Sequence, residues 1–301
     1  MEQIAFVFSG QGAQYPGMGR ELYEASSAAR KIFDGADQIR PGTSAQCFGG
    51  TQDELSQTIH TQPCVFCVDL AAAEALRAAG IHPASVAGFS LGEVAALTFS
   101  GVFDPDTGFR LVCKRAAFMQ EAAQKEKSAM VAVLKLADGV VQELCSKYEK
   151  AYPVNYNCSG QTVVALAEVV REDFCQNVQA LGGRAIPLAV SGGFHSPFMD
   201  EASQRFLAEL KTIPISHPVL PVYANRTAQP YGDNIVEMLA GQLNHPVYWQ
   251  KTIENMISDG ITTFIEVGPG KTLRGLIKKI SSDVRVLNVE DGAGLQAALK
   301  I

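Results

Sequence analysis

The sequence predicts an α/β fold in two unequal parts: a large α/β domain interrupted in sequence, and a small domain inserted into it. Three observations carry this reading. Short apolar runs alternate with helical stretches from residue 4 to about residue 124. The rhythm changes between residues 127 and 191 to the order βαββαβ. The first alternation then resumes through the remaining residues.

The elements follow in order. Ile4 to Phe8 is an apolar run ending in Ser9-Gly10-Gln11-Gly12, a buried strand feeding a glycine-rich loop. Helical periodicity covers Met18 to Ile39. Thr61 can cap the next helix, with Pro63 in its first turn and Ala-rich sequence to Ala79. Val86 to Phe89 reads as a second strand, Ser90 opens a helix to Phe99, and Asp104 opens another to Gln124. In the middle segment, Ala129–Leu136, Pro153–Asn157, Thr162–Ala167 and Ala185–Val190 read as strands. Asp138–Lys147 and Glu172–Leu181 read as helices. Their order is that of a ferredoxin-like unit. Beyond it, helices are expected over Pro197–Leu210, Asn234–Leu243 and Val247–Ser258. Strands are expected over Leu220–Ala224, Thr263–Val267 and Val284–Val289. The domains are therefore 1–126 with 192–301, and 127–191.

Composition excludes several classes. A 301-residue chain that is 47% hydrophobic can bury a large core. A net charge of −6 argues against nonspecific nucleic-acid binding. No apolar run reaches the roughly 18 residues of a membrane span. The opening Met1-Glu2-Gln3 lacks a basic leader, so a cytoplasmic protein is expected. Seven cysteines without metal-ligand spacing fit free thiols in a reducing compartment. Cys64 and Cys67 form a C-x-x-C, but Val65 and Phe66 between them read as core, so buried thiols are preferred over a redox or metal pair.

The chemistry centres on Gly88-Phe89-Ser90-Leu91-Gly92, a G-x-S-x-G sequence between a strand and a helix. A serine on such a turn exposes its hydroxyl, and the helix N-terminus offers N–H groups to an oxyanion. The large domain is expected to be α/β-hydrolase-like; the plain alternative for Ser90 is a serine capping an ordinary helix. A serine nucleophile needs a base. Among His60, His82, His195, His217 and His245, only His195 lies in a flexible loop entering a helix, after Ser191-Gly192-Gly193-Phe194. Three strands are expected after His195, whereas an ordinary α/β-hydrolase places its histidine last, after an acid. Arg115 shares an apolar helix face with Leu111 and Met119. Spacing leaves two roles open for it, a structural ion pair or a bidentate site for a substrate carboxylate.

Together these residues resemble the malonyl-CoA:acyl carrier protein transacylase family over essentially the whole chain. The resemblance runs through Phe8-Ser9-Gly10-Gln11-Gly12-Ala13-Gln14 and Gly17-Met18-Gly19, then the Ser90 motif with Glu93, then Arg115 with Phe118-Met119-Gln120. It continues through Asn155-Tyr156-Asn157, Gly160-Gln161, Ser191 to Pro197, Gln242, Pro246 to Trp249 and Glu266 to Lys271.

The resemblance implies a malonyl transfer from coenzyme A to acyl carrier protein through an ester on Ser90, in fatty acid biosynthesis. It implies His195 as base and the N–H groups of Gln11 and Leu91 as oxyanion hole. Arg115 would bind the malonyl carboxylate, and Gln242 would support His195 through its main-chain carbonyl. Met119, Asn155, Asn157 and Gln161 would line the substrate cleft. Phe194 would border the acyl pocket and, with Leu91, disfavour a branched methylmalonyl group. One departure stands out: Phe89 occupies the position before the nucleophile where the family usually has histidine. No bound cofactor, no metal, no membrane and a monomer are expected. For carrier docking the candidates are Lys271, Arg274, Lys278, Lys279 and Lys114. The alternatives are a trans-acting acyltransferase or acyl hydrolase of a polyketide assembly line, and a non-enzymatic docking module.

Overall fold

The computed structural model describes residues 3–300; residues 1, 2 and 301, which end the expected large domain, lie outside the described residues. The strands in chain order are β1 (Ile4–Phe8), β2 (Ser85–Gly88), β3 (Ser128–Leu134), β4 (Ala151–Cys158), β5 (Gln161–Ala167), β6 (Arg184–Pro187), β7 (Val222–Tyr223), β8 (Thr263–Val267) and β9 (Arg285–Val289). Five of them form an all-parallel sheet of order β7-β2-β1-β8-β9.

The central strand explains the layers. Phe6 and Phe8 point into a core shared with the helices Thr58–Ala78 and Leu91–Phe99. Ala5 and Val7 point the other way, toward the helices Trp249–Ser258 and Thr272–Ile280. With both faces covered, a parallel strand reads as a continuous apolar run, as Ile4–Phe8 does. Register aligns Phe8 with Gly88 and with Val267. The loops after β1, β2 and β8 therefore leave the sheet together at its carboxyl edge, where α/β sheets hold ligands.

The middle segment forms a second sheet, β4-β5-β3-β6, antiparallel throughout. Its helices are Asp138–Cys145 and Arg171–Ala180, in the expected βαββαβ order. Val131, Val133, Val164 and Leu166 pack beneath those helices on Val141, Phe174 and Val178. The opposite face, with Met130, Ala132, Val163 and Ala165, joins the main core. Two helices cover one face of a sheet, so the other face buries itself against the larger body. β4 is also stitched to the main body: Tyr156 N–H donates to the Val247 carbonyl at 2.9 Å and Val247 N–H to that of Val154 at 2.8 Å.

Several boundaries differ from expectation. The single helix expected over Met18–Ile39 is two, Arg20–Ala25 and Ser27–Ile39, because Ser26 is extended and its side chain caps the second by accepting from Ala29 N–H. The helix expected to be capped by Thr61 begins at Thr58 with Gln57 at its N-cap, so Pro63 lies inside it rather than in its first turn. Thr61 caps nothing; its hydroxyl donates back to the carbonyls of Leu55 and Gln57. Strand β2 ends at Gly88, and Phe89 belongs to the turn. Helices Thr43–Gly49, Gln52–Leu55 and Gly292–Ala298 were not anticipated. Among the described residues no helix is long and apolar enough to cross a membrane, and no cluster of three or more His, Cys, Asp or Glu could hold a metal ion.

Candidate active site

The site begins at the turn after β2. Ser90 has φ 53° and ψ −103°, a sparsely populated conformation that costs on the order of 1–3 kcal/mol. The flanking glycines are required sterically. A Cβ on Gly88 would stand 2.0 Å from the Gly92 carbonyl carbon, and one on Gly92 would stand 2.3 Å from the Phe8 carbonyl oxygen. The turn is held by hydrogen bonds: Phe89 N–H donates to Phe8 O at 3.0 Å, and Ser90 N–H donates to Asn225 Oδ1 at 2.7 Å. Asn225 Nδ2 donates in turn to Gly88 O at 2.5 Å.

His195 meets the serine. Its Nε2 lies 2.7 Å from Ser90 Oγ, and its Nδ1 lies 2.8 Å from the main-chain carbonyl of Gln242. A carbonyl only accepts, so Nδ1 carries the proton and Nε2 is free to accept from the serine hydroxyl. His195 also has positive φ, 61°, with its N–H on Leu243 O at 3.0 Å. Burial, followed by the nearby Arg115 charge, lowers the imidazole pKa to about 4. At neutral pH the ring is therefore an unprotonated base.

Arg115 is fully buried and faces the same serine. Nη2 donates to Ser90 Oγ at 3.2 Å and to Gln242 Oε1 at 2.7 Å; Nη1 donates to Gln62 Oε1 at 2.8 Å. Its Nε–H has no acceptor among the described residues. No carboxylate lies within ion-pair distance, so of the two roles left open by spacing, the structural ion pair is absent among the described residues. Burial lowers its pKa to about 10, which still leaves it charged at neutral pH. Arg115 is linked to the buried carboxyl of Glu93 through Gln242, whose Nε2 donates to Glu93 Oε2 at 2.7 Å and to Ser90 O at 2.6 Å. Burial pushes Glu93 up to about 7, against hydrogen bonds from Tyr231, Gln242 and Asn225 N–H.

The arrangement is a hydroxyl bonded to a neutral imidazole, beside a fixed guanidinium. The N–H groups of Gln11 and Leu91 donate to no acceptor among the described residues. Such a set can form a serine ester, stabilise an oxyanion and receive an acyl group that ends in a carboxylate.

Comparison with known proteins gives the family. Residues 5–294 match the acyl transferase domain. The chain belongs to this family. It is similar to the malonyl CoA-acyl carrier protein transacylase of Bacillus subtilis (strain 168), at 35% identity over 100% of this chain and 97% of the relative. The solved structure of a malonyl CoA-acyl carrier protein transacylase from Clostridium perfringens superimposes with a TM-score of 0.95 at 37% identity, covering 99% of this chain and 96% of that one. A malonyl-transacylase solved in complex with its type II PKS acyl-carrier protein superimposes with a TM-score of 0.96 at 32% identity, covering 99% of each chain. The malonyl-CoA:acyl carrier protein transacylases are thus the branch of the family to which this chain is similar along its whole length.

Within this acyl transferase domain, the structure joins Ser90, His195, Arg115 and Gln242 directly. Met119 is one step removed: its sulfur accepts from Gln62 Nε2 at 3.4 Å. Asn155 and Asn157 are buried on β4, each with an Oδ1 lacking a partner. Gln161 begins β5 and accepts from Lys279 Nζ at 3.4 Å. Gln11 reaches Thr58 Oγ1 with its side chain at 3.2 Å. Phe194 is buried in the main core, and none of Asn155, Asn157, Gln161 or Phe194 hydrogen-bonds to the dyad. Phe89 packs edge-on against Trp249, with ring centroids 5.4 Å apart.

Sequence reasoning missed Gln62, Asn225 and Tyr231. For Asn225 a signal existed. It follows a predicted strand, and a polar residue just past the carboxyl end of an α/β strand lies at the ligand edge.

Proposed function

We propose that this chain transfers a malonyl group from coenzyme A to the phosphopantetheine thiol of acyl carrier protein, through a malonyl ester on Ser90, in fatty acid biosynthesis. The observation that carries the reading is the convergence of His195 Nε2 and Arg115 Nη2 on one serine hydroxyl. A hydrolase needs the first contact only; a carboxylated acyl group gives a reason for the second.

In the first half-reaction His195 takes the Ser90 proton as Oγ attacks the thioester carbon. The oxyanion is received by the N–H groups of Gln11 and Leu91. Collapse breaks the carbon–sulfur bond, and the imidazolium returns its proton to the leaving thiolate. In the second, His195 takes the carrier thiol's proton, the sulfur attacks the ester, and Ser90 leaves with that proton. Arg115 holds the malonyl carboxylate through both steps, exchanging its serine contact for a charge-assisted bond. Gln242 orients His195; Met119, Asn155, Asn157, Gln161 and Phe194 shape the acyl cleft.

The carrier protein docks on the helix Thr272–Ile280, whose Lys279 reaches Gln161. Of the basic candidates, Lys271 pairs with Glu290, Lys114 with Glu209, and Arg274 bonds Asn288. Lys278 has no partner among the described residues, which favours it with Lys279 for an acidic partner. The enzyme works in the cytoplasm as a monomer without a bound cofactor. Residues 127–191 form its small domain and 1–126 with 192–301 its catalytic domain; the separate sheet β4-β5-β3-β6 supports this division. Initial rates with both substrates varied test the scheme: parallel double-reciprocal lines are expected, and intersecting lines contradict a covalent intermediate.

A further inference from the structure

A cavity away from Ser90 stands out among the described residues. About 520 Å³ in volume, it lies on the outer side of the helix Pro105–Lys125, whose Arg115 turns inward to the serine. That volume is within the range of about 300–1,000 Å³ typical of small-molecule sites. Its apolar lining comes from Ile39, Leu111, Cys113 and Ile213. Its rim carries Arg40 and Arg110, with Lys114 and Glu209 paired to one another at 2.5 Å.

The two arginines are unusual in this acidic chain. Arg40 is half-buried and held by three neutral groups: Thr43 Oγ1 at 3.1 Å, Gln46 Oε1 at 2.8 Å and His60 Nδ1 at 2.8 Å. Burial, and then Arg40 itself, lower the His60 pKa, so the imidazole accepts as a neutral ring. Neither Arg40 nor Arg110 has a carboxylate within ion-pair distance among the described residues, and Arg110 has no hydrogen-bond partner there. The cavity thus offers two guanidinium groups without a carboxylate at ion-pair distance among the described residues, above an apolar floor, on a protein of net charge −6. Guanidinium groups recognise carboxylates through paired hydrogen bonds. The apolar floor disfavours a small, fully hydrated anion.

We propose that this cavity is a binding site for an anionic amphiphile, an apolar chain ending in a carboxylate, separate from the acyl-transfer site. Cys113 reports on it, since this half-buried thiol lines the cavity. Cys175, also half-buried but on the helix Arg171–Ala180, is an internal reference.

The test is the rate of iodoacetamide alkylation at each thiol, read by peptide mass mapping of the whole protein with decanoate as probe. Decanoate should slow Cys113 about fivefold at a concentration about four times its Kd, and leave Cys175 unchanged. Arg110→Ala should weaken that protection. Because the Arg110 side chain bonds to nothing among the described residues, this variant should fold normally, and its Cys175 rate checks that. No protection of Cys113 overturns the proposal. So does equal protection by decanol or decyltrimethylammonium, which removes the anionic head, or by inorganic phosphate alone, which removes the chain.

Discussion

The side-chain carbonyl of Gln242 accepts a hydrogen bond from Nη2 of Arg115 at 2.7 Å. The main-chain carbonyl of the same Gln242 accepts from His195 Nδ1 at 2.8 Å, so one residue serves Arg115 and His195 through separate atoms. Gln242→Ala leaves the main-chain link to His195 and removes the side-chain bonds to Arg115, Glu93 and Ser90 O. Arg115 and Glu93 each lose one buried partner, at about 1–3 kcal/mol for each buried group left unsatisfied. Malonyl transfer should fall roughly ten- to a hundredfold, while inactivation of Ser90 by phenylmethylsulfonyl fluoride, which needs only the dyad, should fall much less. Equal losses in both assays contradict this division of labour.

Arg115→Ala tests acyl recognition itself. A hydrogen bond to a charged group contributes about 1.5–3 kcal/mol, or roughly ten- to a hundredfold in rate. The ratio of malonyl to acetyl transfer should fall by that factor, with acetyl transfer retained. Competition between the two thioesters gives the ratio directly, and a common decline for both excludes a carboxylate-specific role.

The His195 shift sets the acid limb. Its folded-state pKa, about 4, is below the ordinary 6.5 because burial and Arg115 disfavour the imidazolium. The unfolded chain therefore binds more protons between those values. The stability His195 contributes is present above pH 6.5 and is lost as pH falls through 4. Glu93 acts in the opposite sense: raised to about 7, it contributes stability below 4.5 that is lost as pH rises through 7. The rate of Ser90 inactivation by phenylmethylsulfonyl fluoride should hold on acidification to well below pH 6.5. Replacing Arg115 by leucine should move the half-point upward. A wild-type half-point at the ordinary histidine value contradicts the burial argument.

Asn225 holds the strained turn from both sides, on Ser90 N–H and Gly88 O. Asn225→Ala removes the side-chain partner of two backbone groups, so a loss of roughly 2–6 kcal/mol in stability is expected. The turn should also relax, lowering kcat more than it raises KM. Denaturant midpoints and steady-state kinetics measure the two effects, and an unchanged kcat in a folded variant removes Asn225 from the positioning of Ser90.

What was legible in the sequence followed from local physics. Gly88 and Gly92 announce the turn because no Cβ fits against Gly92 and Phe8. The βαββαβ unit showed in its change of period, and β1 in its unbroken apolar run. Ser26 was hidden because a capping serine inside continuous helical periodicity looks like one more helical residue. Thr61 and Pro63 imitated a helix start that lies three residues earlier. Asn225 and Gln62 were invisible as site residues because long-range packing brings them there: sheet order sets β7 beside β2, and Gln62 meets Arg115 across two packed helices. The role of Arg115 was undecidable from spacing, since it depends on which groups face it.

The central claim is a malonyl ester on Ser90, and intact-protein mass spectrometry tests it most directly. After brief exposure to malonyl-CoA, the wild-type chain should gain one malonyl group and lose it on addition of holo acyl carrier protein, which should appear malonylated. Ser90→Ala should show neither change. An unmodified wild-type chain that still malonylates the carrier, or a Ser90→Ala variant that transfers at the wild-type rate, would contradict the account.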